Sequence, residues 1–299
     1  MPVLLKEVID GLKIIPSGIY VDCTFGGGGH SKKILEKLNG EGKLIVFDQD
    51  EDARKNVPDD KRVIFVPHNF RHLQRFLRFH KIQKVNGILA DLGVSSHQFN
   101  EAERGFSTRF NAALDMRMNQ NEKITAADVI KNFSEEKLHK IFEKYGEVTN
   151  SKTLAKTIVE VRKTQSLNTI NEFKNAVYPI VKGNPEKYFA QVFQAIRIEV
   201  NDELDALKEM LAQASEVLDE SGRIAVITFH SLEDRVVKDF GRTLARDYVV
   251  VGEVDVPELR KPAQPKLKLV NRKAIQPTQE EIEGNPRSRS AQLRVFEKI

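Results

Sequence analysis

The sequence holds a single cysteine, Cys23. One thiol permits neither an internal disulfide framework nor a cysteine-rich zinc site. Glycine (17) and proline (11) are too sparse in 299 residues for a collagenous or low-complexity chain. No apolar run approaches the roughly 18 residues that suggest a membrane-spanning helix. The opening stretch is interrupted by Lys6, Glu7, Asp10 and Lys13, unlike the apolar heart of a secretory signal. Aromatic residues are scarce at 7%, yet 40% of the chain is hydrophobic, enough to bury the core of one large or two modest domains. These absences leave a soluble globular protein, expected in the cytoplasm, with neither a membrane nor a metal as partner.

What the chain does have is unevenly placed charge. The net charge is +4, but the segment from Arg260 onward carries +6, leaving the rest near −2. A basic cluster near one terminus suits a phosphate-rich partner through Coulomb attraction and counterion release. A solvated tail with no partner is the alternative.

Organisation shows in the periodicity. Short apolar runs at 19–23, 44–47, 63–66 and 88–90 are bounded by Gly, Pro, Asp or Asn, as buried parallel strands are. Between them Ile34, Leu35 and Leu38, then Leu73, Phe76 and Leu77, repeat at helical spacing. Alternating βα units predict an α/β fold with a doubly wound sheet and right-handed crossovers. After Val94 the pattern turns helical. Ser134 is an expected N-cap ahead of Leu138, Ile141, Phe142 and Tyr145. Leu154, Ile158 and Val161 form a second stripe, and Phe173, Ala176, Val177 and Ile180 a third. Residues 105–190 therefore read as a helical domain inserted between a first part, 1–104, and a second part, 191–299, that ends in the basic tail. In that second part a helix over Leu204 to Leu218 is stopped by Gly222, and strands are expected at 224–228, 248–254 and 291–296. The last two, joined by the Pro- and Lys-rich loop 261–277, are expected to pair antiparallel. No internal repeat is present.

The most informative segment runs from Tyr20 to Ser31, where a strand enters four successive glycines, Gly26 to Gly29, and then a helix. Glycines there allow positive φ and close approach of backbone to a ligand. A dinucleotide fingerprint would need glycine where Ser31 stands, so that match is partial. Asp22, Asp48 and Asp91 end the first, second and fourth strands and should crowd the carboxyl edge of the sheet. Asp48 lies where a ribose-hydroxyl acceptor is expected, with a helix N-cap as its plain alternative. Carboxylates would repel a pyrophosphate but complement a ligand bearing a sulfonium and an ammonium, which favours S-adenosylmethionine over NAD. Phe70, after the third strand, can cover an adenine or belong to the core. Gln98 can bond the ligand or close its own loop. Cys23 reads as a small packing residue, with no base beside it.

Taken together, the segments resemble the bacterial family of small-subunit (16S) ribosomal RNA cytosine-N4 methyltransferases. The likeness runs in order along nearly the whole chain. It opens with Pro2-Val3-Leu4-Leu5, the stretch from Asp22 to Ser31, and Asp91-Leu92-Gly93-Val94-Ser95-Ser96. Glu103-Arg104-Gly105-Phe106-Ser107 and Leu114-Asp115-Met116-Arg117-Met118 follow. Phe193-Gln194-Ala195-Ile196-Arg197-Ile198, the stretch from Phe229 to Arg235, and Asn285-Pro286-Arg287-Ser288-Arg289-Ser290 complete it. The family usually has a histidine two residues ahead of the first of these strings, so a role for it is not expected here. His97 and Ala113 stand where prolines are commoner.

The resemblance implies a Rossmann-like class I methyltransferase sheet interrupted by an all-helical domain. It implies S-adenosyl-L-methionine at Gly28, Gly29, His30, Asp48, Phe70, Asp91 and Gln98, and as substrate a cytidine in the decoding region of the small-subunit (30S) ribosomal RNA. Asp91 would then hold the cofactor or accept the N–H bonds of the reacting amine. His230 and Ser231 are expected in the same cleft, His230 accepting the departing proton or bonding Glu233 or Asp234. Asp115, Arg117 and Arg197 either touch RNA or clamp the fold. A reacting cytidine must be unstacked, so looped or single-stranded RNA is expected. Lys266, Lys268, Arg272, Lys273, Arg287 and Arg289 would contact its phosphates. Two rival readings remain at this point: a nicotinamide-dependent dehydrogenase with His230 as proton donor, and a catalytically silent RNA-binding assembly factor.

Overall fold

Successive side chains of the strands divide between two faces, and this alternation organises the sheet domain. In the strand Lys43–Phe47, Leu44 and Val46 enter one buried cluster while Ile45 and Phe47 enter another. Tyr20 and Val21 split the same way in Ile19–Asp22. A sheet buried on both faces needs such apolar strands, with helices covering each side. The computed structural model describes residues 2–252 and 255–299. These residues form two compact units, one holding the chain up to Gly93 and from Leu204 onward, the other Val94–Glu203.

The first unit begins with α1 (Leu5–Leu12), β1 (Ile19–Asp22), α2 (Gly29–Lys37), β2 (Lys43–Phe47), β3 (Val63–Val66), α3 (Leu73–Phe79) and β4 (Val85–Asp91). The helical unit follows with α4 (Ser96–Asn100), α5 (Ala126–Asn132), α6 (Glu135–Lys144), α7 (Ser151–Val161), α8 (Ile170–Val177) and α9 (Pro185–Asn201). The first unit then resumes with α10 (Glu203–Val217), β5 (Leu218–Thr228), α11 (Ser231–Leu244), β6 (Tyr248–Val250), β7 (Arg260–Pro262), β8 (Leu267–Leu269), α12 (Gln279–Gly284) and β9 (Gln292–Lys298).

The main sheet has seven strands in the order β3-β2-β1-β4-β5-β9-β8. The pairings from β3 to β5 are parallel, while β9 runs antiparallel to both β5 and β8. This is the Rossmann-like methyltransferase sheet expected from the sequence. The strand order reverses between β1 and β4, and in open α/β sheets ligands bind at that switch point, outside the carboxyl ends of the strands. Asp22 and Asp91 are the last residues of these two strands.

Several boundaries differ from the sequence reading. β6 pairs with β7 in a separate two-stranded sheet, and β9 pairs with β5 and β8 instead of β6. The expected strand 248–254 ends at Val250 in the structure, and its residues 253–254 lie outside the described residues. The helical unit extends to residue 203, past the 190 expected, because Phe189, Val192, Phe193, Ala195 and Ile196 of α9 all belong to its core. That helix begins with Asn184 as N-cap and Pro185 at its first turn, which together start a helix that the stripe analysis did not single out. The other stripes became α6, α7 and α8, with the Ser134 hydroxyl accepting from the Lys137 amide at 3.2 Å.

Candidate active site

The glycine loop joins β1 to α2, and its conformation explains two of its glycines without any ligand. Gly26 and Gly28 have φ of 51° and 72°, where a side chain is disfavoured. Gly29 opens α2 directly beneath Pro2, and a Cβ there would collide with the proline ring. Gly27 differs, because a Cβ on it would meet nothing within 4 Å. A cavity of about 440 Å³ opens under this loop between α2 and β2, lined by Phe25, Gly27, Gly28, Leu35, Leu44 and Val46. Its polar rim includes Lys32, Glu36 and Arg62, and Gly28 is the one residue expected at the cofactor that lines it; the acidic strand ends lie outside this lining.

Asp22, at 1% exposure, accepts from the Thr24 amide at 3.0 Å and from the Ser31 hydroxyl at 2.7 Å, which ties the strand end to α2. Burial pushes its carboxyl upward, partly offset by the Ser31 hydrogen bond. Asp48 takes the Gly26 amide at 2.8 Å on one oxygen and the Asp50 amide at 2.9 Å on the other. Its carboxyl therefore clasps the glycine loop. The helix-capping alternative for Asp48 falls to Asp50, whose side chain accepts from the Asp52 amide. Burial raises the Asp48 carboxyl to about 6, opposed by its two amide bonds.

Asp91 is the most perturbed of the set. Its amide donates to the Thr24 hydroxyl at 2.7 Å, while its Oδ1 is buried with no hydrogen-bond partner. Burial, reinforced by the charges of Asp22 and Glu233, lifts its carboxyl to about 8. Although a quarter of the side chain reaches solvent, the buried oxygen dominates the cost of ionisation. His30 stands 3.6 Å from Asp91 through Nδ1. Its Nε2 lies 2.9 Å from the Val3 carbonyl. A carbonyl only accepts, so Nε2 carries the proton. Burial also lowers the His30 pKa, which leaves a neutral ring whose bare Nδ1 faces Asp91. The residue chain continues outward, since the Leu4 amide donates to Glu281 Oε1 at 2.7 Å. Neither Glu281 nor Thr24 was singled out in the sequence, because the first contact spans 277 residues and the second joins two different strand ends.

Phe70 begins a 3₁₀ turn after β3, where Asn69 accepts from the Arg71 amide and its side-chain amide donates to Gln49. Its ring is half-buried against the core.

His230, expected either to accept a proton or to bond Glu233 or Asp234, stands beside Glu233. It caps α11, with Nδ1 accepting from the Glu233 amide at 3.4 Å and Nε2 lying 3.2 Å from Glu233 Oε1. Both nitrogens thus face Glu233, which is itself buried and accepts from the Phe229 amide at 2.8 Å. The ring therefore serves as a cap, while its buried Nε2 has no hydrogen-bond partner. Ser231, the next residue, is exposed on the first turn of α11. Asp234 is held by both arms of Arg294 at 2.7 and 3.0 Å.

The other candidates lie in the helical unit and are occupied there. Gln98 forms a capping box with Ser95, its Oε1 accepting from the Ser95 amide at 3.1 Å. It closes its own loop, the second of the two roles expected. Arg117 grips Asp115 bidentately at 2.9 and 2.6 Å and also donates to the carbonyls of Gln120 and Glu122. Arg197 grips Glu203 at 2.8 and 2.9 Å. Asp115, Arg117 and Arg197 therefore act as clamps, the second of the two roles expected of them.

The profile of the MraW methylase family matches residues 1–299. The chain belongs to this family. A protein of Bacteroides thetaiotaomicron named ribosomal RNA small subunit methyltransferase H is 53% identical over 299 residues, covering 100% of this chain and 97% of its own. A Bacteroides fragilis protein of the same name is 51% identical over 305 residues, with the same coverage. One from Christiangramia forsetii is 51% identical over 303 residues, again covering 100% of this chain and 97% of its own. Within the MraW methylase family framework, the resemblance drawn from the ordered strings is correct over the full length, and the dehydrogenase reading is set aside.

Proposed function

We propose that this chain is an S-adenosylmethionine-dependent methyltransferase that methylates N4 of a cytidine in small-subunit ribosomal RNA, in the cytoplasm. The observation that carries the reading is the grouping of Asp22 and Asp91 at the switch point with Asp48 after the adjoining β2, burial holding all three carboxyls above their ordinary range. A site so short of positive charge favours a cationic ligand and disfavours a pyrophosphate. The buried, partnerless Oδ1 of Asp91 and the open space at Gly27 fit a polar group lodged against the loop. When bound, S-adenosylmethionine supplies an electrophilic methyl group on a sulfonium.

Gly28, Gly29 and His30 would offer it backbone at the start of α2, Asp48 a ribose-hydroxyl acceptor, and Phe70 an apolar wall. Asp91 is assigned the central role. It holds the ammonium of the donor or accepts an N–H of the cytosine amine, with the His30 ring beside it. The RNA assignment follows the names of the relatives and the basic tail. There Arg272, Lys273 and Arg289 are exposed, whereas Lys266 and Lys268 approach Glu216 and Glu297 at 3.9 and 2.5 Å. Among the described residues no helix is long and apolar enough to cross a membrane.

The test is transfer of labelled methyl groups from S-adenosylmethionine to small subunits lacking the modification, followed by nucleoside analysis. Incorporation as N4-methylated cytidine is expected. Incorporation at another base, or none by a folded protein that binds the donor, would overturn the reading.

A further inference from the structure

Between Asp60 and Asp91 the chain contains no Asp or Glu, yet Arg71, Arg75, Arg78, Lys81 and Lys84 lie within that interval. This second basic concentration is separate from the tail, and the structure gathers it around α3. Leu73 and Leu77 bury one side of that helix, with 0% and 1% exposure. Arg75, Arg78 and Phe79 fall on the opposite side, where positions three and four apart are neighbours. Phe79 is 77% exposed, more than any other large hydrophobic side chain in the described residues. An uncovered phenylalanine flanked by arginines has the composition of a base-stacking platform within a cationic field.

The neighbouring acids Glu209 and Glu216 meet the edges of this patch, and among the described residues neither Arg75 nor Arg78 enters an ion pair. Arg71 meets Glu209 bidentately at 3.1 and 2.6 Å. At the carboxyl end of α10, Lys84 donates to the Glu216 carbonyl at 2.8 Å and Lys298 to the Ser215 carbonyl at 3.0 Å. Lys266 lies 3.9 Å from the Glu216 carboxylate. Lys84 and the tail residues Lys266 and Lys298 thus meet at one helix end, in the same unit as α3.

We infer that the exposed face of α3, with Arg75 and Arg78 for phosphates and Phe79 for an unstacked base, is a second RNA-contacting surface beside the basic tail. The inference rests on the RNA reading of the site and names a surface that the cofactor residues do not use. Because Phe79 ends α3 just ahead of β4, this surface lies toward the amino ends of the strands, where it would hold RNA flanking the reactive cytidine and not the cytidine itself.

The full chain, its Arg75→Ala/Arg78→Ala form, Phe79→Ala and Phe79→Trp are compared by fluorescence anisotropy against a single-stranded RNA oligonucleotide across a salt series. Thermal melting and S-adenosylhomocysteine affinity are followed in parallel. The double variant should lose about tenfold in RNA affinity and flatten the plot of log affinity against log salt by ~1–2. Phe79→Ala should weaken binding by about tenfold with the salt slope intact, and Phe79→Trp should restore it. Melting temperature and S-adenosylhomocysteine affinity should stay at the parental values. RNA affinity and slope unchanged in both variants, while the parent methylates small subunits, would overturn the surface and leave the proposed function standing. A parent that binds no RNA and methylates no subunit overturns both.

Discussion

At the scale of single residues, Asp91 combines the features that make a carboxylate useful and costly. Its carboxyl sits near 8 because one oxygen is buried without a partner. The folded chain therefore holds a proton there that the unfolded chain releases near pH 4. Across the window from about pH 4 to 8 the folded state binds more protons, so stability falls as pH rises and then levels off. Asp91→Asn removes that dependence. In the ligand-free protein it should melt above the parent at pH 8 by at least ~2 °C, with the difference closing towards pH 4. Scanning calorimetry at several pH values checks this, and the same variant should lose methyl transfer by about 100-fold or more. The glycines give a second contrast. Gly29→Ala pushes a methyl group into Pro2 and should cost about 1–3 kcal/mol, whereas Gly27→Ala faces open space and should leave denaturant midpoints nearly unchanged.

At the scale of elements, the two ends of the chain meet over the glycine loop. Leu4 caps α1 with φ of 51° and no side-chain bond of its own, and its amide is satisfied by Glu281 of α12. Glu281→Ala should therefore cost about 1–2 kcal/mol in urea unfolding, and Glu281→Gln less, because the amide oxygen can still accept. Since Val3 O receives His30, loosening this strap should also raise the KM for S-adenosylmethionine more than it lowers kcat. Long-range contacts of this kind mark where the sequence ceased to be informative. The strands β1 to β4 were legible because each holds a short apolar run bounded by Gly, Pro, Asp or Asn, and three acidic strand ends could be read from order alone. Of β5 only the apolar half at 224–228 was legible, because the polar stretch from Leu218 to Gly222, expected to end and stop a helix, is strand. The fate of His230 was not legible, since Glu233 three residues on fits a capped helix and a catalytic pair equally well. Arg117 and Arg197 were ambiguous for the same reason, as a guanidinium is identical in sequence whether it grips Asp115, Glu203 or a phosphate. The pairing of β6 with β7, too short to have a periodicity, was likewise hidden.

At the scale of the whole molecule, the arrangement is one of opposed charge. An acidic edge of the sheet suits a cation, and basic surfaces on α3 and the tail suit a polyanion. RNA binding should accordingly weaken steeply with salt, whereas donor binding at the buried carboxyls should respond to pH far more than to salt. The most direct test of the central claim is titration calorimetry of S-adenosylmethionine into the ligand-free chain at pH 7, in buffers of differing ionisation enthalpy. A cation seated against Asp91 must drive off the proton held there. The account expects release of about one proton per donor bound, affinity that rises between pH 5.5 and 7.5, and no heat with NADH. Donor binding without proton release and with the same affinity across that range would contradict it.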